Sequence, residues 1–124
     1  MGICSSFQIH FNPVMYQLIS EQSIYQYFGD DDPEMVQEMI QIILETNIND
    51  LKQLGSYYDS GDFATIKKRC HKAKPSMSYI GAVKTRKILE EIESNLENSQ
   101  ALNENLQSQL SIIESELKTL LSKF

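Results

Sequence analysis

His71 stands among lysines on a predicted helix. Lysines occur four and three residues before it and one and three residues after it, namely Lys67, Lys68, Lys72 and Lys74. Cations this close disfavour the imidazolium, so we expect a neutral, nucleophilic ring near physiological pH. A phosphoryl group on that ring would add negative charge, which lysines one helical turn away can neutralise. The spacing suits a phosphoryl acceptor, but a solvated basic helix face gives the same pattern.

The charge of the chain is distributed unevenly. Its 124 residues include 11 Lys and Arg against 17 Asp and Glu, a net charge of −6. Residues 67–87 contain eight of the basic residues and no acidic one. The three remaining basic residues stand against all 17 acidic ones, so the rest of the chain carries −14. An acidic chain argues against nucleic-acid binding, while the basic window predicts a docking surface for an acidic partner.

Other chemistries find no support in the residue pattern. His10 and His71 are far apart, and Cys4 and Cys70 add no ligand spacing, so no metal site is predicted. No Gly-rich phosphate loop is present, and we expect the chain to bind neither ATP nor a cofactor of its own. Phosphoryl chemistry at His71 would therefore need a partner that brings the catalytic groups.

Composition indicates a soluble helical domain. Hydrophobic residues make up 41% of the chain, with only three prolines and five glycines. No apolar run approaches the roughly 18 residues of a membrane span, so no membrane role is predicted. Two cysteines cannot build a disulfide framework, and no secretory signal is recognised, so a cytoplasmic location is expected.

Apolar periodicity predicts several helices. Residues 1–12 are predicted to be a mobile leader and residues 13–124 one domain. A short first helix is expected over about 14–28, with Tyr27 and Phe28 among its contacts. Four longer helices follow, and their predicted inward residues are Val36, Ile40, Ile43, Leu51, Leu54 and Tyr58, then Phe63, Ile66, Cys70, Ala73, Met77 and Ile80, then Ile88, Leu89, Ile92 and Leu96, and finally Leu102, Leu106, Leu110, Ile113, Leu117, Leu120 and Phe124.

Boundary residues support this division. Asp32 before Pro33 and Asp62 after Gly61 are predicted helix caps, and Gly81 is a predicted break. Short turns between such helices predict an all-α fold, an antiparallel four-helix bundle with an extra short N-terminal helix. Residues 99–124 also fit a coiled-coil strand for oligomerisation, but a helix within a monomeric bundle is the favoured interpretation.

The segment from His71 to Ala82 resembles the histidine-containing phosphotransfer (HPt) domain of phosphorelays. The family pattern is His, Lys three on, usually Gly four on, Ser five on, and Gly-Ala ten and eleven on. This sequence has His71, Lys74, Ser76, Gly81 and Ala82 in register. The acidic turn that opens the helix at residue 33 and the Ser-Gly-Asp-Phe segment at 60–63 are also similar. The resemblance covers about residues 14–124.

The resemblance implies a role for each matching residue. His71 would carry the phosphoryl group, and Lys74 would be its charge partner. Ser76 would either hydrogen-bond near the phosphoryl group or fix the local helix, and Gly81 would form the tight turn into the next helix. The residues expected to face a receiver domain are Lys67, Lys68, Lys72, Lys74, Ser76 and Ser78.

Pro75 departs from the family pattern, which usually has glycine there. Proline has no N–H to donate to the His71 carbonyl four residues back, at a usual cost of ~3 kcal/mol inside a helix. Since the apolar stripe continues to Ile80, we expect a kinked helix rather than a terminated one. Proline is compact, so access to His71 is expected to survive.

The resemblance implies a phosphorelay intermediate that is not itself an enzyme. A receiver domain of a response regulator, or one in a hybrid histidine kinase, would supply the phosphoaspartate and a bound Mg²⁺. His71 would accept the group and pass it to another receiver. The alternative is a non-phosphorylated helical adaptor that binds a receiver or a kinase.

Overall fold

The computed structural model describes residues 16–124, and the predicted leader at 1–12 lies outside them. The elements are α1 (Glu21–Phe28), α2 (Pro33–Ile43), a π-helical turn (Leu44–Ile48), α3 (Asn49–Lys52), α4 (Leu54–Ser60), α5 (Phe63–Tyr79), α6 (Val83–Ser94), a 3₁₀ turn (Leu96–Asn98) and α7 (Gln100–Leu121). The described residues contain no strand. The predicted all-α class is therefore confirmed.

The segments from α2 to α4 follow one another with almost no break and correspond to the single long helix predicted there. Asp32 caps α2 by accepting a hydrogen bond from the Met35 N–H at 3.1 Å. The π-helical turn inserts an extra residue into this run of helices. As a result Ile48 is fully buried, while Asn47, a polar residue at the stripe position between Ile43 and Leu51, is half-buried.

Helix α5 carries His71 and begins at the predicted cap. The Asp62 side chain accepts hydrogen bonds from the Thr65 N–H at 3.2 Å and the Thr65 hydroxyl at 2.7 Å. The helix then runs unbroken to Tyr79 with Pro75 inside it. The expectation that Pro75 does not terminate the helix is confirmed.

The cap of α5 should make stability depend on pH. The side-chain and backbone hydrogen bonds from Thr65 hold the pKa of Asp62 below its usual value. A carboxylate with a lowered pKa stabilises the fold at neutral pH, and this contribution is lost as the pH falls through that pKa. We expect Asp62→Ala to lower the melting temperature by a few degrees at neutral pH and by much less near pH 2.

Thermal unfolding at both pH values tests this expectation. Asp59→Ala is the matched control, because Asp59 is exposed near the end of α4 and its side chain makes no hydrogen bond within residues 16–124. Equal losses for the two variants at neutral pH would contradict a specific capping role.

Polar contacts attach the segment before α1 to helix α7. The backbone N–H groups of Leu18 and Ile19 donate to the Glu116 carboxylate on α7, at 3.0 and 3.1 Å. Ser20 caps α1 by accepting from the Ser23 N–H at 3.2 Å. The helix therefore starts at Glu21, and the expected helical conformation of residues 16–20 is wrong because these N–H groups bind a side chain of α7 instead. The expected start near residue 14 lies outside the described residues.

The core confirms most of the predicted inward stripes. Two predicted contacts differ: Tyr27 is 58% exposed, and Phe124 is 40% exposed beyond the end of α7. Leu96 packs against the core as predicted, but from the 3₁₀ turn after α6 has ended. The buried apolar residues are Ile19, Ile24, Val36, Ile40, Ile43, Ile48, Leu51, Leu54, Ile66, Cys70, Ala73, Met77, Ile80, Ala82, Ile88, Leu89, Ile92, Leu106, Leu110, Ile113, Leu117 and Leu120.

The apolar seam of helix α7 is buried inside this bundle. Five of its seam residues are fully buried, namely Leu106, Leu110, Ile113, Leu117 and Leu120. That seam is not available for a coiled coil with another chain, which supports the bundle interpretation of residues 99–124. Between residues 16 and 124, no helix combines the length and apolar content needed to cross a membrane.

Candidate functional site

His71 projects from α5 into solvent. Its side chain is 74% exposed, while Cys70 before it is fully buried, because neighbours on a helix point about 100° apart. The ring nitrogen Nδ1 lies 3.2 Å from Oε2 of Glu93, which projects from α6. A carboxylate oxygen can only accept, so Nδ1 carries a proton, and in a neutral ring the lone pair then lies on Nε2.

Glu93 also binds the lysine one turn along α5. Its second oxygen, Oε1, lies 2.9 Å from the Lys74 ammonium nitrogen. The side chains of Lys74 and Glu93 are only 20% and 13% exposed, so this ion pair is largely shielded from water. One carboxylate thus bridges the imidazole and the lysine. The surroundings of His71 therefore include a carboxylate from α6 in addition to the lysines predicted on its own helix.

Two of the predicted lysines lie beside the ring. A shallow depression next to His71 is lined by Lys67, Lys68, Ala64 and Glu93. Lys67, Lys68 and Lys72 are all exposed and form no ion pair with the described residues. They remain free to meet a charged partner.

Other members of the basic window are used within the fold. The Arg69 guanidinium donates to the Asp50 carbonyl at 2.9 Å and to the Tyr57 hydroxyl at 3.0 Å. Arg86 forms an ion pair with Glu90 at 3.3 Å. With Lys74 paired to Glu93, three of the eight cations serve internal contacts. The docking surface predicted from the eight cations of residues 67–87 therefore has fewer free charges than the sequence indicated.

The family model of the Hpt domain matches residues 38–123, a range that contains His71, Lys74 and Glu93. The chain belongs to the Hpt domain family. Hpt domains are helical bundles that act as histidine phosphocarriers in two-component relays and interact with receiver domains. No curated protein and no solved structure matches this Hpt chain.

Ser76 of the Hpt chain connects two helices. Its hydroxyl donates to Oδ1 of Asn47 in the π-helical turn at 2.5 Å. The contact fixes α5 against the turn, which favours the second of the two roles expected for Ser76. It also explains why a polar residue occupies the apolar stripe of the long helix.

Ser78 and Pro75 lie on the part of α5 that follows His71. Ser78 is half-buried and its hydroxyl accepts a hydrogen bond from the Arg86 guanidinium, so it connects α5 to α6. Less of the Ser78 side chain is therefore left to contact a receiver than the sequence predicted. Pro75 is exposed one turn after His71, where it borders the same surface.

Gly81 and Ala82 form the turn between α5 and α6. Gly81 has φ +75°, a left-handed conformation that suits glycine, as the resemblance implied. Ala82 is fully buried, and its N–H donates to the Met77 carbonyl at 2.8 Å. This short turn sets α5 beside α6 and so brings Glu93 to His71.

Glu93 is the residue of this site that the sequence analysis missed. It follows Leu89 by four residues and precedes Leu96 by three, so it continues the predicted inward stripe of α6. An acidic residue in an apolar stripe signals a buried partner. That partner, Lys74, lies on a different helix and could not be read from spacing.

Cys70 is a poor nucleophile despite its place next to His71. Burial, followed by the nearby Glu93 charge, raises the pKa of its thiol to about 12. A thiol in that state is protonated and inert at neutral pH. Within residues 16–124, no cluster of three or more His, Cys, Asp or Glu residues has a metal-binding arrangement.

Proposed function

We propose that this Hpt chain carries a phosphoryl group on Nε2 of His71 and exchanges it with receiver aspartates. The supporting observation is the contact between Nδ1 of His71 and the Glu93 carboxylate, because a proton held there leaves Nε2 of this exposed side chain as the nucleophile. Lys74 lies one turn along the same face, so it is the cation that the transferred group and Glu93 would share.

The transfer conserves atoms and electrons without a separate base. The Nε2 lone pair attacks the phosphorus of an aspartyl phosphate, and a P–N bond forms. The bond from phosphorus to the acyl oxygen breaks, and its electron pair leaves with the aspartate carboxylate. The proton on Nδ1 stays in place, bonded to Glu93, so the ring becomes a phosphorylated imidazolium. Donation to a second receiver reverses these steps.

The receiver supplies what this chain lacks. We propose that it brings the bound Mg²⁺ and the acidic pocket around its aspartate, while Lys67, Lys68 and Lys72 attract that pocket and orient docking. The first donor is then the receiver of a hybrid histidine kinase or of a response regulator. The chain acts as a monomeric cytoplasmic carrier with no cofactor of its own.

A two-step label transfer tests the relay. A ³²P-labelled receiver is mixed with the Hpt chain, the labelled chain is isolated, and an unlabelled second receiver is added. We expect label to reach the Hpt chain in the first step and leave it in the second. Stable binding of the receiver without any label transfer would contradict the carrier function and support the adaptor.

A further inference from the structure

We propose that Glu93 sets the phosphotransfer equilibrium by competing with the phosphoryl group for Lys74. The inference rests on the proposed function of His71 and concerns the stability of the phosphorylated histidine relative to the phosphorylated receiver. In this view Glu93 keeps the group weakly held, so that it passes readily to a receiver.

The competition follows from the contacts of one carboxylate. Glu93 accepts from Nδ1 of His71 with Oε2 and holds the Lys74 ammonium 2.9 Å from Oε1. Oε1 is buried and makes no directed hydrogen bond, so the Lys74 charge is its main compensation. Moving the ammonium to the phosphoryl group would leave a shielded carboxylate without its cation, which is costly.

Phosphorylation therefore brings two anions to one lysine. The phosphoryl group is added at Nε2, on the opposite side of the ring from the Nδ1 that Glu93 contacts. The exposed Lys67 and Lys68 are screened by water and salt, so they compensate only weakly for the missing Lys74 charge. The phosphorylated state is thus less stable than it would be with Lys74 free.

Glu93→Gln separates charge from hydrogen bonding. The glutamine carbonyl oxygen can still accept from Nδ1 and keep the ring tautomer, but the amide no longer holds Lys74 by charge. The lysine is then released to the phosphoryl group. We expect the equilibrium ratio of labelled Hpt chain to labelled receiver to rise about tenfold, the effect of one charge pair in a partly shielded site.

The measurement is the ratio of label on the two proteins after transfer has reached equilibrium, which is independent of transfer rate. Glu91→Gln is the matched control, since it removes the same charge from an exposed position of α6 with no ion pair to the described residues. Lys74→Gln is expected to shift the ratio toward the receiver. In the Lys74→Gln background, Glu93→Gln is expected to change the ratio by less than about twofold.

The outcomes distinguish this inference from the function it rests on. A rise confined to Glu93→Gln that disappears without Lys74 supports the competition. Normal labelling of the parent with no shift in Glu93→Gln, an equal shift in Glu91→Gln, or an undiminished shift without Lys74 would overturn it. A parent chain that takes up no label would overturn the proposed function itself.

Discussion

Replacing His71 by glutamine is expected to abolish phosphoryl uptake from a phosphorylated receiver. Glutamine can keep a polar contact to its surroundings, but its amide nitrogen has no lone pair free for attack at phosphorus. The buried Cys70 thiol cannot substitute, because its pKa is raised to about 12. We expect labelling to fall at least about a hundredfold, to background, as for the loss of a covalent nucleophile.

The chain supplies its own control for this experiment. His10 is the second of its two histidines, and it lies outside the described residues. His10→Gln is expected to accept label like the parent, and both variants should bind the receiver. Label that persists in His71→Gln, or that is lost in His10→Gln, would place the phosphoryl acceptor elsewhere.

Gly81→Ala is expected to give the largest loss of stability among alanine substitutions of the four glycines in residues 16–124. The φ of +75° disfavours any side chain, and an added Cβ would lie 2.5 Å from the Ser20 Cβ and 3.1 Å from the Ser20 nitrogen. The Ser20 N–H donates to the Ile80 carbonyl at 2.8 Å, so the segment before α1 cannot move away without losing this bond. Strain and overpacking together are expected to cost about 3 kcal/mol.

Chemical denaturation of two further variants separates the causes. Gly61 has a similar φ of +71° but open space around its Cβ position, so Gly61→Ala should cost only about 1 kcal/mol. A Ser20→Gly background removes the nearest clashing atom at the cost of only a few tenths of a kcal/mol as a cap. Gly81→Ala should then be clearly less destabilising. Equal losses at Gly61 and Gly81 would contradict the close approach.

Local patterns predicted most of the helices and the inward position of Cys70, next to His71. Apolar spacing identified the core faces, and Asp32 and Asp62 marked helix starts that the structure confirms. The exposure of His71 follows from its phase relative to the buried Cys70. These features depend on residues within one or two turns of each other, which is why the sequence alone was sufficient.

Contacts between side chains of different helices could not be predicted from the sequence. Glu93 reaches His71 across 22 residues, and Arg69 reaches Asp50 across 19. Charge counting treated Arg69 and Lys74 as free, whereas packing against another helix supplies each with a partner. Such pairs depend on the crossing of two helices, and no periodicity within one helix encodes it.

The N-terminal end and the π-helical turn show the same limit. Glu116 replaces helical hydrogen bonds for the residues before α1, so that helix starts later than its apolar pattern indicates. The π-helical turn allows Asn47 to meet Ser76 while Ile48 enters the core. In both places a distant side chain decides a local conformation.

The most direct test of the central claim is the position of phosphorus on the imidazole ring. The Hpt chain, labelled with ¹⁵N in its histidines, is phosphorylated by a receiver and examined by ³¹P and ¹⁵N NMR. Coupling between phosphorus and Nε2 of His71, with the proton on Nδ1, is the predicted result. Phosphorus on Nδ1, or on any residue other than His71, would contradict it.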